Sequence, residues 1–202
     1  MQNEYTETRI VQNPEDILHE IIECTLTSNE LCVSFAPRGM QFNYTYLFDI
    51  KKKILEKYKR GEHMGIRYIS GIDSTNLEVT KKFLEAGTQI KHVKNLPPMS
   101  FAITDKLIIT TIIPVNLCDI LATSPIQEME QELSSVLIST DYAYRNHFKS
   151  IFEELWKKGI DAIDRIKDIE QGRETDDELA DAKQYVREVL EEITNMKRSV
   201  TR

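Results

Sequence analysis

"GIRYISGIDSTNLEVTKKFLEAGTQIKHVKN", residues 65–95, decides how this chain folds. Its opening GIRYIS is a short apolar run between Gly65 and Gly71, the signature of a buried strand. DSTNLEVTKKFLEAG then reads as a helix with a polar start and Gly87 at its end. QIKHVKN supplies a further strand. A helix between two strands is a crossover, and crossovers join parallel neighbours. The same rhythm begins upstream, where ELCVSFAP is a strand stopped by Pro37. YTYLFDIKKKILEKYKRG follows as a helix with Leu47, Ile50, Ile54 and Leu55 inward. Strand, helix, strand, helix, strand predicts a parallel sheet with helices packed upon it.

Outward from this centre the elements continue. Asn13-Pro14-Glu15-Asp16 marks a helix start, and Ile17, Ile21 and Cys24 then share one face. PPMSFAITDKLIITT, residues 97–111, reads as two strands joined at Thr104-Asp105-Lys106, and ELSSVLIST, residues 132–140, as another strand. The stretch between them carries no clear pattern. From Asp141 the character is helical, with Phe148, Phe152 and Leu155 on one stripe and Ile151 and Trp156 beside it. Gly159 interrupts, and Ile163, Ile166 and Ile169 resume the pattern. Beyond Gly172 and the charged RETDDE, Leu179, Ala182, Val186, Val189, Ile193, Met196 and Val200 alternate in spacing between three and four residues. That is the seam of a coiled coil or of a helix folded back on its own domain. The expected organisation is an α/β domain over 1–172 and an amphipathic C-terminal helix over 173–202.

Composition narrows the function. Hydrophobic residues make up 41% and charged residues 29%, and no run approaches the length of a bilayer span, so the expectation is a cytoplasmic protein without membrane association. The N-terminus lacks the apolar core of a secretion signal. Cys24, Cys32 and Cys118 form no CxxC pair, which argues against a zinc site or a disulfide framework and for small buried hydrophobes. A net charge of −7 predicts no nucleic-acid partner, because phosphate binding is driven by Lys and Arg. KKKILEKYKR, residues 51–60, holds six cations in ten residues and reads as a solvated helix surface.

Catalytic motifs are missing. The chain has no GxSxG elbow, no P-loop and no GxGxxG, and no helical histidine pair for a metal. The phospholipase D pattern His-x-Lys-x-x-x-x-Asp could end at Asp105, but Pro98 then takes the histidine position and Ser100 the lysine position. A literal His-x-Lys stands at His92-Val93-Lys94, with Met99 where the acid belongs. That chemistry needs a histidine nucleophile and lysines for the phosphate charge, so no enzyme, cofactor or metal is expected. Binding is more plausible, since ligands of open α/β sheets sit outside the carboxyl ends of the strands. The candidates there are Arg38 and Lys94 for an anion, Asp73 for a donor group, and His92 as a contact.

The order of these segments, with FKSIFEELWKKGIDAIDRIKDIEQG (residues 148–172) as its strongest part, resembles the phospholipase D-like sensor regions of archaeal sensor histidine kinases. NPEDILHEII and GIRYISGIDSTNLEVTKKFLEAG match that family more loosely, and the likeness covers about residues 10 to 172. It implies an α/β fold with a phospholipase D-like mixed sheet, flanking helices and C-terminal helices, without the His-Lys-Asp chemistry. It also implies an input module of a two-component system that binds a small ligand and signals to a downstream kinase or regulator. The chain departs from the family in carrying no phosphoacceptor histidine box and no nucleotide-binding kinase core. A homodimer through Leu179, Val186, Val189, Ile193 and Met196 fits that role. The alternative is an interaction scaffold that dimerises or docks through the same helix without a ligand.

Overall fold

The computed structural model describes residues 6–35, 39–94, 96, 99–111 and 135–173. Among these residues, eight strands form one sheet. In chain order they are β1 (Thr8–Val11), β2 (Leu31–Ser34), β3 (Ile66–Ser70), β4 (Gln89–His92), β5 (Phe101–Thr104), β6 (Ile108–Thr111), β7 (Val136–Ser139) and β8 (Ile160–Asp161). Their spatial order is β1-β7-β6-β5-β2-β3-β4-β8. β2, β3 and β4 run parallel, as the crossover pattern predicts, and every other pairing is antiparallel.

The described helices are α1 (Pro14–Thr27), α2 (Gly39–Lys59), α3 (Leu77–Ala86), α4 (Tyr142–Lys158) and α5 (Ala162–Glu170). Their starts follow from side chains that satisfy free N–H groups. Asn13 Oδ1 accepts from Glu15 N at 2.9 Å, Asp141 Oδ1 from Tyr144 N at 2.6 Å, and Asp161 Oδ1 from Ile163 N at 2.9 Å. Alternation along the strands sends side chains to two faces. Leu31, Val33, Phe35, Tyr68 and Ile90 pack with Ile54 and Leu55 of α2, Phe83 of α3 and Ala162 of α5. Ile109, Val136 and Ile138 meet Ile17 and Cys24 of α1 on that same face. The opposite face presents Cys32, Ile69, Phe101, Ile103 and Ile108 to Phe152 of α4.

Several details differ from the sequence reading. α2 begins at Gly39, five residues before the expected start at Tyr44. The N-terminus, where the sequence predicts no strand, supplies β1, which pairs antiparallel with β7 from Thr8↔Ser139 to Val11↔Val136. Gly159 does more than interrupt a helix. A Cβ there would lie 2.9 Å from Lys91 Cβ and 3.3 Å from the His92 carbonyl, so glycine alone lets the chain pass close enough to add β8 to β4. Ile163, expected on the apolar stripe, is 53% exposed, because Ala162, Arg165 and Ile166 take the inward positions of α5. Lys51 is not part of a solvated surface. It follows Leu47 by four residues and precedes Ile54 by three, which puts it on the buried face of α2. Cys24 and Cys32 are free and buried, as expected, whereas Cys118 and the 179–200 seam lie outside the described residues. No helix among the described residues is long and apolar enough to cross a membrane.

Candidate functional site at the carboxyl edge of the parallel strands

β2, β3 and β4 all end at one edge of the sheet, and β5 begins there. Phe35 continues β2, its N–H bonded to the Ile69 carbonyl at 3.0 Å. Beyond β3, Ser70 Oγ donates to the Gly71 carbonyl and the chain turns sharply towards α3. His92, at the end of β4, is buried and fixes that turn, its Nδ1 accepting from Ile72 N at 2.9 Å. Arg165, buried on α5, fixes it from the other side, donating from Nε to the Ile72 carbonyl at 3.1 Å. Asn76 Nδ2 completes the clamp with a 2.7 Å bond to the Gly71 carbonyl.

The four sequence candidates therefore hold different positions. His92 is joined to the loop that carries Asp73. The Asp73 side chain is exposed, and its Oδ1 accepts from Thr75 N at 2.8 Å, so one carboxylate oxygen already shapes the approach to α3. Lys94 lies exposed two residues beyond His92. Arg38 lies outside the described residues. Sequence reasoning missed Arg165. The available signal was an arginine at an inward position, three residues after Ala162 and one before Ile166, on an otherwise apolar helix face.

The start of β5 and the start of α2 meet at this edge. Ser100 is bound into the sheet through Thr111: its N–H donates to Thr111 Oγ1 at 3.0 Å, and its carbonyl accepts from Thr111 N at 2.9 Å. Gly39 comes so close that a Cβ would lie 3.1 Å from Phe35 Cδ1 and 3.3 Å from Ser100 Oγ. The lysine position of the phospholipase D pattern is thus a short hydroxyl covered by the first residue of α2. Asp105 stands at the opposite end of β5. Its two carboxylate oxygens accept from Asn29 N at 2.9 Å and Asn29 Nδ2 at 3.0 Å, while Arg145 Nη1 reaches its carbonyl at 2.6 Å. Partial burial pushes the Asp105 carboxyl up, but these bonds outweigh it and hold the group below the ordinary aspartate range. Asp105 ties the α1–β2 connection to the β5–β6 turn.

The other face holds a separate polar cluster. Arg67 Nη2 sits 2.7 Å from Glu153 and 3.0 Å from Glu30, and Lys149 Nζ sits 2.6 Å from Glu30. Both cations approach Cys32 Sγ at 3.3 Å, and the Arg67 guanidinium lies 5.4 Å from the Trp156 ring. Two cations against two carboxylates leave no surplus charge for a ligand. Among the described residues no group of three or more His, Cys, Asp or Glu could hold a metal ion.

No protein family's sequence profile matches this chain, and no curated protein matches it. Solved structures do share its fold. NucT from Helicobacter pylori superposes with a TM-score of 0.54 at 13% identity, over 77% of this chain and 99% of its own. TrmBL2, an archaeal chromatin protein whose structure shows a novel mode of DNA binding, superposes with a TM-score of 0.52 at 12% identity over 80% of this chain. The match spans 56% of TrmBL2. At such identities the likeness is one of fold, and the α/β, phospholipase D-like mixed sheet with flanking helices stands. The TrmBL2 comparison corrects one expectation, the exclusion of a nucleic-acid partner. Net charge was a poor basis for that exclusion, because a sum over the whole chain hides local patches.

Proposed function

We propose that this chain is a phospholipase D-like module without hydrolytic activity that binds a small anionic ligand at the carboxyl edge and serves a regulatory role. The observation that carries this reading is the closure of α2 on Ser100. A phosphodiesterase lysine needs room for a long side chain and access to the phosphate, and Gly39 fills that space with backbone. The histidine position is Pro98, and Asp105 is engaged at the far end of the strand. What the edge offers instead is the N-terminus of a 21-residue helix without an acid in its first turn, Arg38 immediately before it in sequence, and exposed Lys94. The test is a melting-temperature screen against inorganic phosphate, sulfate, sugar phosphates and nucleotides. A concentration-dependent rise that Arg38→Ala removes supports the reading. Turnover of a phosphodiester such as bis(p-nitrophenyl) phosphate that His92→Gln abolishes would replace it with an enzyme.

A second reading, favoured by the TrmBL2 comparison, is contact with nucleic acid. The exposed cations of α2 are the surface to test. Lys52 and Lys53 are exposed, whereas Lys59 and Arg60 are paired with Glu56 and Glu62. Retention of duplex DNA that falls steeply with salt and weakens in a Lys52→Glu, Lys53→Glu double variant would carry this reading. DNA retention unchanged by that variant would remove α2 from it.

A further inference from the structure

Lys51 projects from the inward face of α2 into the layer between helix and sheet, where it is 2% exposed. A buried ammonium is costly unless a carboxylate meets it. Among the described residues none comes within ion-pair distance; Nζ donates to Asn43 Oδ1 and lies 4.7 Å from the Tyr68 ring centroid and 6.0 Å from that of Phe35. Helical side chains lean towards the N-terminus, and Lys51 runs back along its own helix in that direction. Asn43 extends the connection, its Nδ2 donating to the Gly39 carbonyl at 3.0 Å. Gly39 is the residue pressed on Phe35 and Ser100. A continuous path of contacts, about 18 Å long by helical rise, joins the buried amine to the carboxyl edge.

We propose that Lys51 is a proton-operated latch on the first turn of α2: the amine bonds Asn43, Asn43 bonds the Gly39 carbonyl, and a proton taken up at Nζ shifts that turn towards a bound anion. This rests on the anion-binding reading of the same edge. The physical reason is direction. A charge arising at Nζ is relieved where water or an anion can approach, and the side chain already points towards the helix start that borders the edge. By linkage, whatever stabilises an anion at that start favours the proton on Lys51, and the reverse holds equally.

The neighbours do not titrate in competition. Of the ionisable groups packed against Lys51, α1 contributes Cys24 and β3 contributes Tyr68. Burial pushes the Cys24 thiol up to about 12 and the Tyr68 phenol well above its ordinary range, so both stay neutral near pH 7. Phe35, whose ring lies near Nζ, adds no charge. Glu20 of α1 is turned to Arg9 at 2.8 Å. Burial lowers Lys51 itself from 10.5 to about 7, which places its titration in the range where the latch would operate.

The experiment follows amide chemical shifts of the full chain from about pH 6 to 9, in the wild type, Lys51→Met and Asn43→Ala. The latch predicts that Gly39, Met40 and Ser100 move together in the wild type, with a midpoint near that of Lys51 Nζ. They should remain static in Lys51→Met apart from histidine titration. In Asn43→Ala the Lys51 Nζ signal should still titrate while Gly39 no longer follows it. Identical movement in the wild type and Lys51→Met overturns the proposal, as does a Gly39 signal that stays fixed while Nζ titrates. Sulfate, whose charge is constant over this range, separates the latch from the ligand site. It should raise the wild-type melting temperature more at pH 6 than at pH 8.5, and equally at both in Lys51→Met. An equal wild-type effect at both pH values sinks the latch. No sulfate effect at either pH, with the Gly39 titration intact, sinks the ligand site and leaves the latch standing.

Discussion

Replacing Lys51 with Met should stabilise this protein at neutral pH, although it deletes a hydrogen bond. Burial lowers the lysine from 10.5 to about 7, so the folded state holds a neutral amine where the unfolded state holds a charged one. Between those values the unfolded chain binds one more proton than the native one, and stability must rise with pH by about 1.4 kcal/mol per unit. Below about pH 7 both states are protonated and the penalty is fully developed. Its size is the fall from 10.5 to about 7 converted to free energy, about 5 kcal/mol. Met fills nearly the same volume without a charge. Against the gain stands Asn43 Oδ1, left without its donor at a cost of about 1 to 3 kcal/mol. The net expectation at pH 7 is a gain of about 2 to 4 kcal/mol. By pH 9.5 the penalty in the wild type has fallen to about 1 kcal/mol, so the advantage of the variant should vanish or reverse.

The assay is urea unfolding of both proteins at intervals from pH 6.5 to 9.5, read through Trp156, the chain's one tryptophan. Other groups titrate alike in the two proteins, so the difference between them isolates Lys51. A difference that stays flat across the range, or a variant less stable at every pH, would show that the amine keeps its charge in the folded state. The account of Lys51 as a neutral core residue would then be wrong.

Three further substitutions test the architecture. Gly159→Ala should cost about 1 to 3 kcal/mol in chemical denaturation, because its Cβ would overlap Lys91 and the β4–β8 pairing must yield. Phe152→Ala removes a fully buried ring that stacks on Trp156 at 5.7 Å and should cost about 3 to 5 kcal/mol, with a change in native tryptophan fluorescence. Asp105→Ala should lower stability by about 1 to 2 kcal/mol at pH 7 through the loss of both Asn29 bonds. The Asp105 carboxyl titrates below its ordinary range, so its contribution is present above the unfolded value and is lost as pH falls through the folded one. A wild-type and Asp105→Ala pair whose stability gap persists unchanged at strongly acidic pH would refute the assignment of those bonds to the ionised form.

How far the sequence could be read depended on the range of the interaction that decides each element. The central β2–α2–β3–α3–β4 unit was legible because periodicity and glycine ends are local signals, and the crossover rule converts their order into topology. β1 escaped because Thr8-Arg9-Ile10-Val11 becomes a strand only by pairing with residues about 130 positions away, and Ile10 remains largely exposed even there. β8 escaped for the same reason, since a two-residue strand exists only where Gly159 allows backbone to approach β4. The phospholipase D pattern shows the limit of spacing alone. Ser100 and Asp105 stand the required distance apart in sequence, yet they face opposite ends of β5 and join different loops. Lys51 and Arg165 teach the converse. Each occupies an inward helical position that periodicity marks for an apolar side chain, and each is buried with a polar partner that no local rule could name. A charged residue on the apolar stripe of a helix is therefore a signal in its own right: it predicts burial, and it directs attention to whatever the fold brings opposite. Here that is Asn43 and the first turn of α2 in one case, and the loop beyond β3 in the other, both at the edge where the candidate site lies.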